Sequence, residues 1–307
     1  MGVISEKYVD TCENFNKVHA FLRKMITLTG KLQTWEFVRL EFWKWNEAAK
    51  STDPNFMENH ANLWKNEADE VVGLFISEYG GDFFSLVIHP DYPHIAKDMV
   101  SWAKNVWGKE NKRLTTDCYD HSLEVQALLD AGFKKDSHIG NTRKYDLEHT
   151  EYALSLEEGY SIKCMKEAGN YEGKLDLIQQ IFPDSRSGKA VYWRKDIPSY
   201  CEELDLSVVD DQGNHIAFCF GFVDRENGVS VIETIGTHPD YQQRGFGKAV
   251  VTACLMQLKE QGVKTAYITG FSVAANALYQ SLKPVEIVPL YSYSYGNVEQ
   301  GHDCKDS

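Results

Sequence analysis

Between residues 228 and 248 the chain reads GVSVIETIGTHPDYQQRGFGK, and several residues able to do chemistry fall together there. Gly245 and Gly247 let the backbone take φ values that side chains forbid and let it approach a ligand closely. Arg244 and Lys248 add positive charge beside them. The apolar, β-branched segment ahead of the loop and the helical pattern behind it make this a strand, a tight loop and a helix N-terminus. A helix start carries unpaired N–H groups and the positive end of the helix dipole, which suits a pyrophosphate. An ordinary strand-to-helix turn is the plain alternative. The loop holds neither G-x-G-x-x-G nor G-x-x-x-x-G-K-[ST], which argues against a dinucleotide-binding fold and against a Walker A loop.

The loop resembles motif A of the GNAT superfamily of N-acetyltransferases, Q/R-x-x-G-x-G/A, with Gln242, Gly245 and Gly247 at its marked positions. The resemblance implies acetyl-CoA as co-substrate and no metal. It implies that Gln242, Gln243, Arg244, Gly245, Phe246, Gly247 and Lys248 surround the pyrophosphate. The backbone of Ile235, Gly236 and Thr237 would run beside the pantetheine arm. A second stretch, Ala275-Asn276-Ala277-Leu278-Tyr279, is similar to the family's A-x-x-L-Y helix, whose tyrosine lies near the sulfur. Tyr279 is then the candidate acid and Asn276 a further CoA contact. The Gly-Phe pair that often follows this helix is replaced here by Leu282-Lys283.

Transfer of acetyl from a thioester to an amine sets two proton problems. The amine must lose a proton, and the leaving thiolate gains from an acid. The carbonyl oxygen also wants an N–H donor as charge develops. Direct transfer needs no covalent enzyme intermediate, because holding both substrates together supplies much of the rate. Glu233, mid-strand among apolar neighbours, is the candidate base, since desolvation would raise its pKa. A carboxylate on the solvent face of a strand is the other reading. His238 before Pro239 reads as a turn residue more readily than as a base. Phe182, Tyr192, Trp193 and Tyr200 are either lining of an acceptor pocket or core.

The elements that position these residues recur. HPDY occurs at His89–Tyr92 and at His238–Tyr241, each time after an apolar strand and before a helix. A further strand and helix follow both copies, at Arg113–Tyr119 and His121–Gly132, and at Lys264–Thr269 and Ala274–Leu282. Matching order at matching separation is an internal repeat. The reading is α+β: two GNAT-like modules, each a mixed, mostly antiparallel sheet flanked by helices, over residues 1–150 and 151–307. The first module carries Pro93-His94-Ile95-Ala96-Lys97 where the second carries its glycine loop, and Leu129 where the second has Tyr279. It is read as a degenerate copy that supports the other and walls its substrate cleft. Before its second helix, Asp120 is expected to act as N-cap.

The length of 307 residues and a hydrophobic share of 43% leave room for two cores. A net charge of −13 argues against nucleic acid and is compatible with an amine-bearing substrate. No apolar run is long enough for a bilayer, and no signal peptide is visible at the start, so a cytoplasmic enzyme without a membrane partner is expected. Seven scattered cysteines form no C-x-x-C pair. The expected activity is N-acetylation of a small amine, and a homodimer is compatible with the sequence. The alternatives are a non-catalytic CoA-binding or sensory module and a peptide or protein N-acetyltransferase.

Overall fold

The computed structural model describes residues 2–49, 51–183 and 197–296. Tyr192 and Trp193 lie outside them.

In the first half, β1 (Val3–Lys7) leads into α1 (Cys12–Thr29). Thr11 caps this helix by accepting from the Asn14 amide at 3.1 Å, and Gly30, with φ 64°, ends it. Phe15, Val18, Phe21, Leu22, Met25 and Ile26 form its buried stripe. Next comes α2 (Phe37–Phe42), which Trp43–Ala48 continues as a π-helical turn, and then α3 (Phe56–His60). The strands β2 (Ala61–Asn66), β3 (Val71–Ile76) and β4 (Ser85–Ile88) join β1 in an antiparallel sheet of order β1-β2-β3-β4. After it follow α4 (Ala96–Trp102), β5 (Arg113–Tyr119), α5 (Val125–Asp130) and the long β6 (Lys134–Asp146).

The second half opens with β7 (Tyr160–Cys164), α6 (Met165–Ala168) and α7 (Tyr171–Ile181). A meander of β8 (Asp205–Asp210), β9 (His215–Asp224) and β10 (Val229–Thr237) follows, its strands joined through the turn sequences DDQGN at 210–214 and RENG at 225–228. Then come α8 (Phe246–Glu260), β11 (Thr265–Gly270), α9 (Val273–Gln280) and β12 (Glu286–Gly296).

The larger sheet runs β5-β12-β6-β11-β10-β9-β8-β7. Its order shows an exchange. The last strand of the first half, β6, pairs with β11 of the second, and the last described strand, β12, pairs with β5 of the first. The two exchanged strands also pair with each other. The α+β class and the paired modules therefore stand, while the sheet itself crosses the sequence division near residue 150.

One hydrophobic core is built from both halves: Phe21, Phe37 and Phe42 pack in it with Phe218, Phe220 and Phe222. The Phe42 and Phe222 rings meet edge to face at 5.3 Å. Fully burying one such side chain contributes about 1.5–3 kcal/mol, so the interface is a core and not a loose contact. Polar links reinforce it: Arg23 of α1 is ion-paired with Asp224 at the end of β9, and Glu41 accepts from Ser199.

Two local expectations differ. Asp120 does not cap α5; the helix begins at Val125 with Glu124 at its cap, and Asp120 pairs instead with Lys135 at 2.5 Å. The strands β1, β2 and β12 are absent from the sequence reading, and β2 shows why. Its Asn62 and Lys65 are buried because Ser5 and Glu6 of β1 satisfy them, so its polarity hides a fully interior strand.

Candidate functional site

The glycine loop sits where β10 ends and α8 begins. Gly245 caps the helix with φ 88°, the left-handed region, and a Cβ there would meet nothing within 4 Å. Its need for glycine is conformational. Gly247 is different: a Cβ would come to 3.0 Å from Leu278 Cδ1 and from Thr237 Oγ1, so glycine lets the helix start pack against the strand end. Gln242, Gln243, Arg244 and Lys248 are exposed around this point, and Phe246 is buried against the Tyr160 ring at 4.5 Å. The first-turn N–H groups of α8 have no partner within the helix. Arg244 is tethered: it donates to Glu157 at 2.6 and 3.2 Å and to the Tyr160 hydroxyl at 3.1 Å, over the Phe246 ring.

His238 is a turn residue. Its Nδ1 accepts from the Asp240 amide at 3.2 Å and its Nε2 meets Gln180 Oε1 at 2.6 Å. The first module repeats this turn, with the Asp91 amide donating to His89 Nδ1 at 3.2 Å.

β10 and β11 run parallel and pair only from Val229 to Val231. Beyond that they separate, and the ladder to β9 shifts register between Ile232 and Ile235. Ile235, Gly236 and Thr237 pair with β9 on one side and leave their other edge toward the gap. A cleft of about 510 Å³ opens here, lined by Glu233, Thr234, Ile235, Gly270, Phe271 and Tyr279 of the second half. The first half contributes Trp35, Glu36, Arg39, Glu78, Phe83, Ser85, Asp117 and Tyr119 to the same cleft. Thus Glu233 and Tyr279, well apart in sequence, face one space. Phe182 also lines it. Tyr200 does not: its hydroxyl donates to Asp205 at 2.7 Å beside the buried Lys174–Asp205 ion pair.

Glu233 is not isolated among apolar groups. Its Oε1 accepts from Arg39 Nη1 at 3.0 Å, and its side chain is 34% exposed. Arg39 also donates to Glu78 at 2.7 and 3.0 Å, to which Trp35 Nε1 donates at 3.0 Å. Burial works against the Arg39 charge, but Glu78 and Glu233 outweigh it and keep the guanidinium protonated. Glu36 caps α2 through the Val38 and Arg39 amides, and burial pushes its carboxyl up to about 8. None of Glu36, Arg39, Glu78 and Asp117 is visible as a site residue in the sequence. The spacing of Glu36 ahead of a helix marks a cap and nothing more.

Tyr279 is 6% exposed, and burial drives its hydroxyl pKa upward, which keeps it protonated. Its backbone carbonyl accepts from the Tyr145 hydroxyl at 2.8 Å, so the exchanged strand β6 fixes the height of α9. Asn276 is held by the same strand: its Oδ1 accepts from Arg143 at 2.8 Å and from Asn141 at 3.0 Å. Among the described residues no group of three or more His, Cys, Asp or Glu is arranged to hold a metal, and no helix is long and apolar enough to cross a membrane.

A helix start with a left-handed glycine thus lies beside a gap between two parallel strands. Residues 175–283 match the Acetyltransferase (GNAT) family, and this segment is a GNAT domain. The whole chain has the fold of a tandem GNAT protein from the clavulanic acid biosynthesis pathway, with TM-score 0.62 and 12% identity over 97% of this chain and 100% of that one. A GCN5-related N-acetyltransferase from Sphaerobacter thermophilus gives TM-score 0.60 and 14% identity over 94% of this chain and 95% of that one. At these identities the likeness is one of fold. No curated protein matches the chain by sequence.

Proposed function

We propose that the protein is an acetyl-CoA-dependent N-acetyltransferase that moves acetyl directly to the amine of a small molecule. The observation that carries this reading is the one cleft that Glu233 and Tyr279 share at the gap between β10 and β11. Its walls come from both modules, which favours a small acceptor over a peptide laid in an open groove.

The chain's groups fit the cofactor. The free N–H groups at the start of α8 and the open space around Gly245 accept a pyrophosphate, and Lys248 adds charge. The strand edge at Ile235–Thr237 offers main-chain groups to the amides of a pantetheine arm. When bound, acetyl-CoA supplies an acetyl thioester. Glu233 takes a proton from the acceptor ammonium, directly or through water, and Arg39 holds that carboxylate in place. As the C–N bond forms and the C–S bond breaks, the Tyr279 hydroxyl gives its proton to the departing sulfur.

Release of free CoA across a panel of amines, with calorimetry of acetyl-CoA binding, tests the reading. Tyr279→Phe should lower kcat by roughly 10²-fold at unchanged acetyl-CoA affinity, near the low end for general acid catalysis. Glu233→Gln should lower kcat/KM by a similar factor. Binding of acetyl-CoA without turnover of any amine would make the protein a CoA-binding module instead.

A further inference from the structure

The acceptor end of the cleft is the first module's own strand gap. Just ahead of β4, Phe83 forms an isolated parallel bridge with Thr115 of β5. Beyond it, Ser85 and Asp117 line the cleft. Strand alternation places Asp117 there: Leu114, Thr116 and Cys118 are buried on the other face of β5, while Thr115 and Asp117 are partly open. Ser292 of β12 lies opposite Asp117 in register and hydrogen-bonds to its carboxylate.

Charge then decides what this end receives. Arg39 is the cation among the described lining residues, and its guanidinium is engaged by Glu78 and Glu233. Glu36 is mostly protonated at neutral pH and spends its oxygens on the start of α2. Asp117 has no cationic partner among the described residues. Burial raises its carboxyl to about 6, with Ser292 opposing that shift, so it is ionised at neutral pH. A cleft-facing carboxylate with no cation of its own is incompletely compensated, and an anionic acceptor would make it worse.

We propose that the acceptor is a small dication, with one amine reacting at Glu233 and a second cationic group held by Asp117 on the first module. The proposal rests on the acetyltransferase reading of the same cleft. The reacting amine loses its protons to Glu233 and solvent and becomes an amide nitrogen. The distal group keeps its charge throughout, so Asp117 acts in specificity and not in proton transfer. A short aliphatic diamine suits a cleft of about 510 Å³.

The test is calorimetry on the full-length protein saturated with CoA. Diaminopropane, diaminobutane and diaminopentane are compared with the monoamines of equal carbon number. At least one diamine should bind roughly tenfold tighter than its monoamine, and its affinity should rise as pH rises through about 6. Asp117→Asn should remove that preference while monoamine and acetyl-CoA affinities stay unchanged. Equal binding of both series, binding of neither, or a preference that survives Asp117→Asn would overturn the proposal. Acetyl-CoA titrated into the same protein separates the two failures. Intact acetyl-CoA binding with no diamine preference defeats the dication alone, whereas loss of acetyl-CoA binding defeats the reading beneath it.

Discussion

The two HPDY turns leave their strands in the same way and then diverge. In each, the tyrosine amide donates to the histidine carbonyl at 2.9 Å, and the histidine and tyrosine rings meet edge to face, at 5.6 Å in the first copy and 5.4 Å in the second. After Tyr92 the chain meets Pro93, passes through a 3-10 turn and buries Ile95. After Tyr241 it runs through exposed Gln242–Arg244 to left-handed Gly245 and enters the 15-residue helix α8. Proline has no N–H to offer an anion, and its ring fixes φ. The same turn therefore leads into a proline in one module and into a left-handed glycine at a helix start in the other. The strand gaps differ in the opposite sense. The second module's gap holds Tyr279 and Glu233, the latter ion-paired with Arg39, and the first module's gap holds Asp117, which is hydrogen-bonded to Ser292 and has no cationic partner among the described residues.

Substitutions test the difference between the two halves. The largest effect is expected at Gly245→Glu, which forces a side chain into a φ of 88° and puts negative charge at the cradle. Acetyl-CoA affinity should fall at least 10²-fold, by more than about 2.7 kcal/mol. Wild-type protein should titrate with one site per chain. Two sites would return the first module to cofactor binding.

Arg39→Met comes next, because it cuts the link between halves at Glu233. It should cost roughly tenfold in kcat/KM and about 2 kcal/mol in urea unfolding, since Glu78, with a side chain only 5% exposed, loses its cation. Pairing it with Glu78→Gln should restore stability but not rate. If the double variant recovers the rate, Arg39 is structural and does not position the base.

The smallest effect on activity is expected at Glu36→Gln, which keeps a cap oxygen. Its consequence is in the pH dependence of stability. The folded protein holds the Glu36 proton up to about 8, whereas an unfolded glutamate loses it near 4.5. Wild-type stability should therefore fall relative to the variant as pH rises across that window, by on the order of 1.4 kcal/mol per unit. Parallel stability curves from pH 5 to 8 would show that Glu36 is not a buried acid.

Legibility followed the range of the interaction. The loop at Gln242–Lys248 was readable because its signals are glycine, proline and a helix start, each acting within a few residues. The helix α8 was readable from the helical pattern behind the loop, and β10 from the apolar, β-branched segment ahead of it. Asp117 was not, because whether a mid-strand carboxylate faces solvent, a helix or a cleft depends on which strands flank it. β12 escaped too: its run of alternating tyrosines and serines states a period but no partner, and Pro289 argues against an inner strand until β6 is placed beside it.

Local conformations and the asymmetry of the repeat are written in the residue types. Gly245 can take a φ that Ile95 cannot, and no packing changes that. The tertiary structure decided the rest. It exchanged β6 and β12, which places Arg143 on Asn276 and Ser292 opposite Asp117. It brought Arg39 to Glu233 across 194 residues of chain. Such contacts depend on which apolar faces bury one another, a collective outcome of the whole core, and a carboxylate's role depends on the charge that this packing sets beside it.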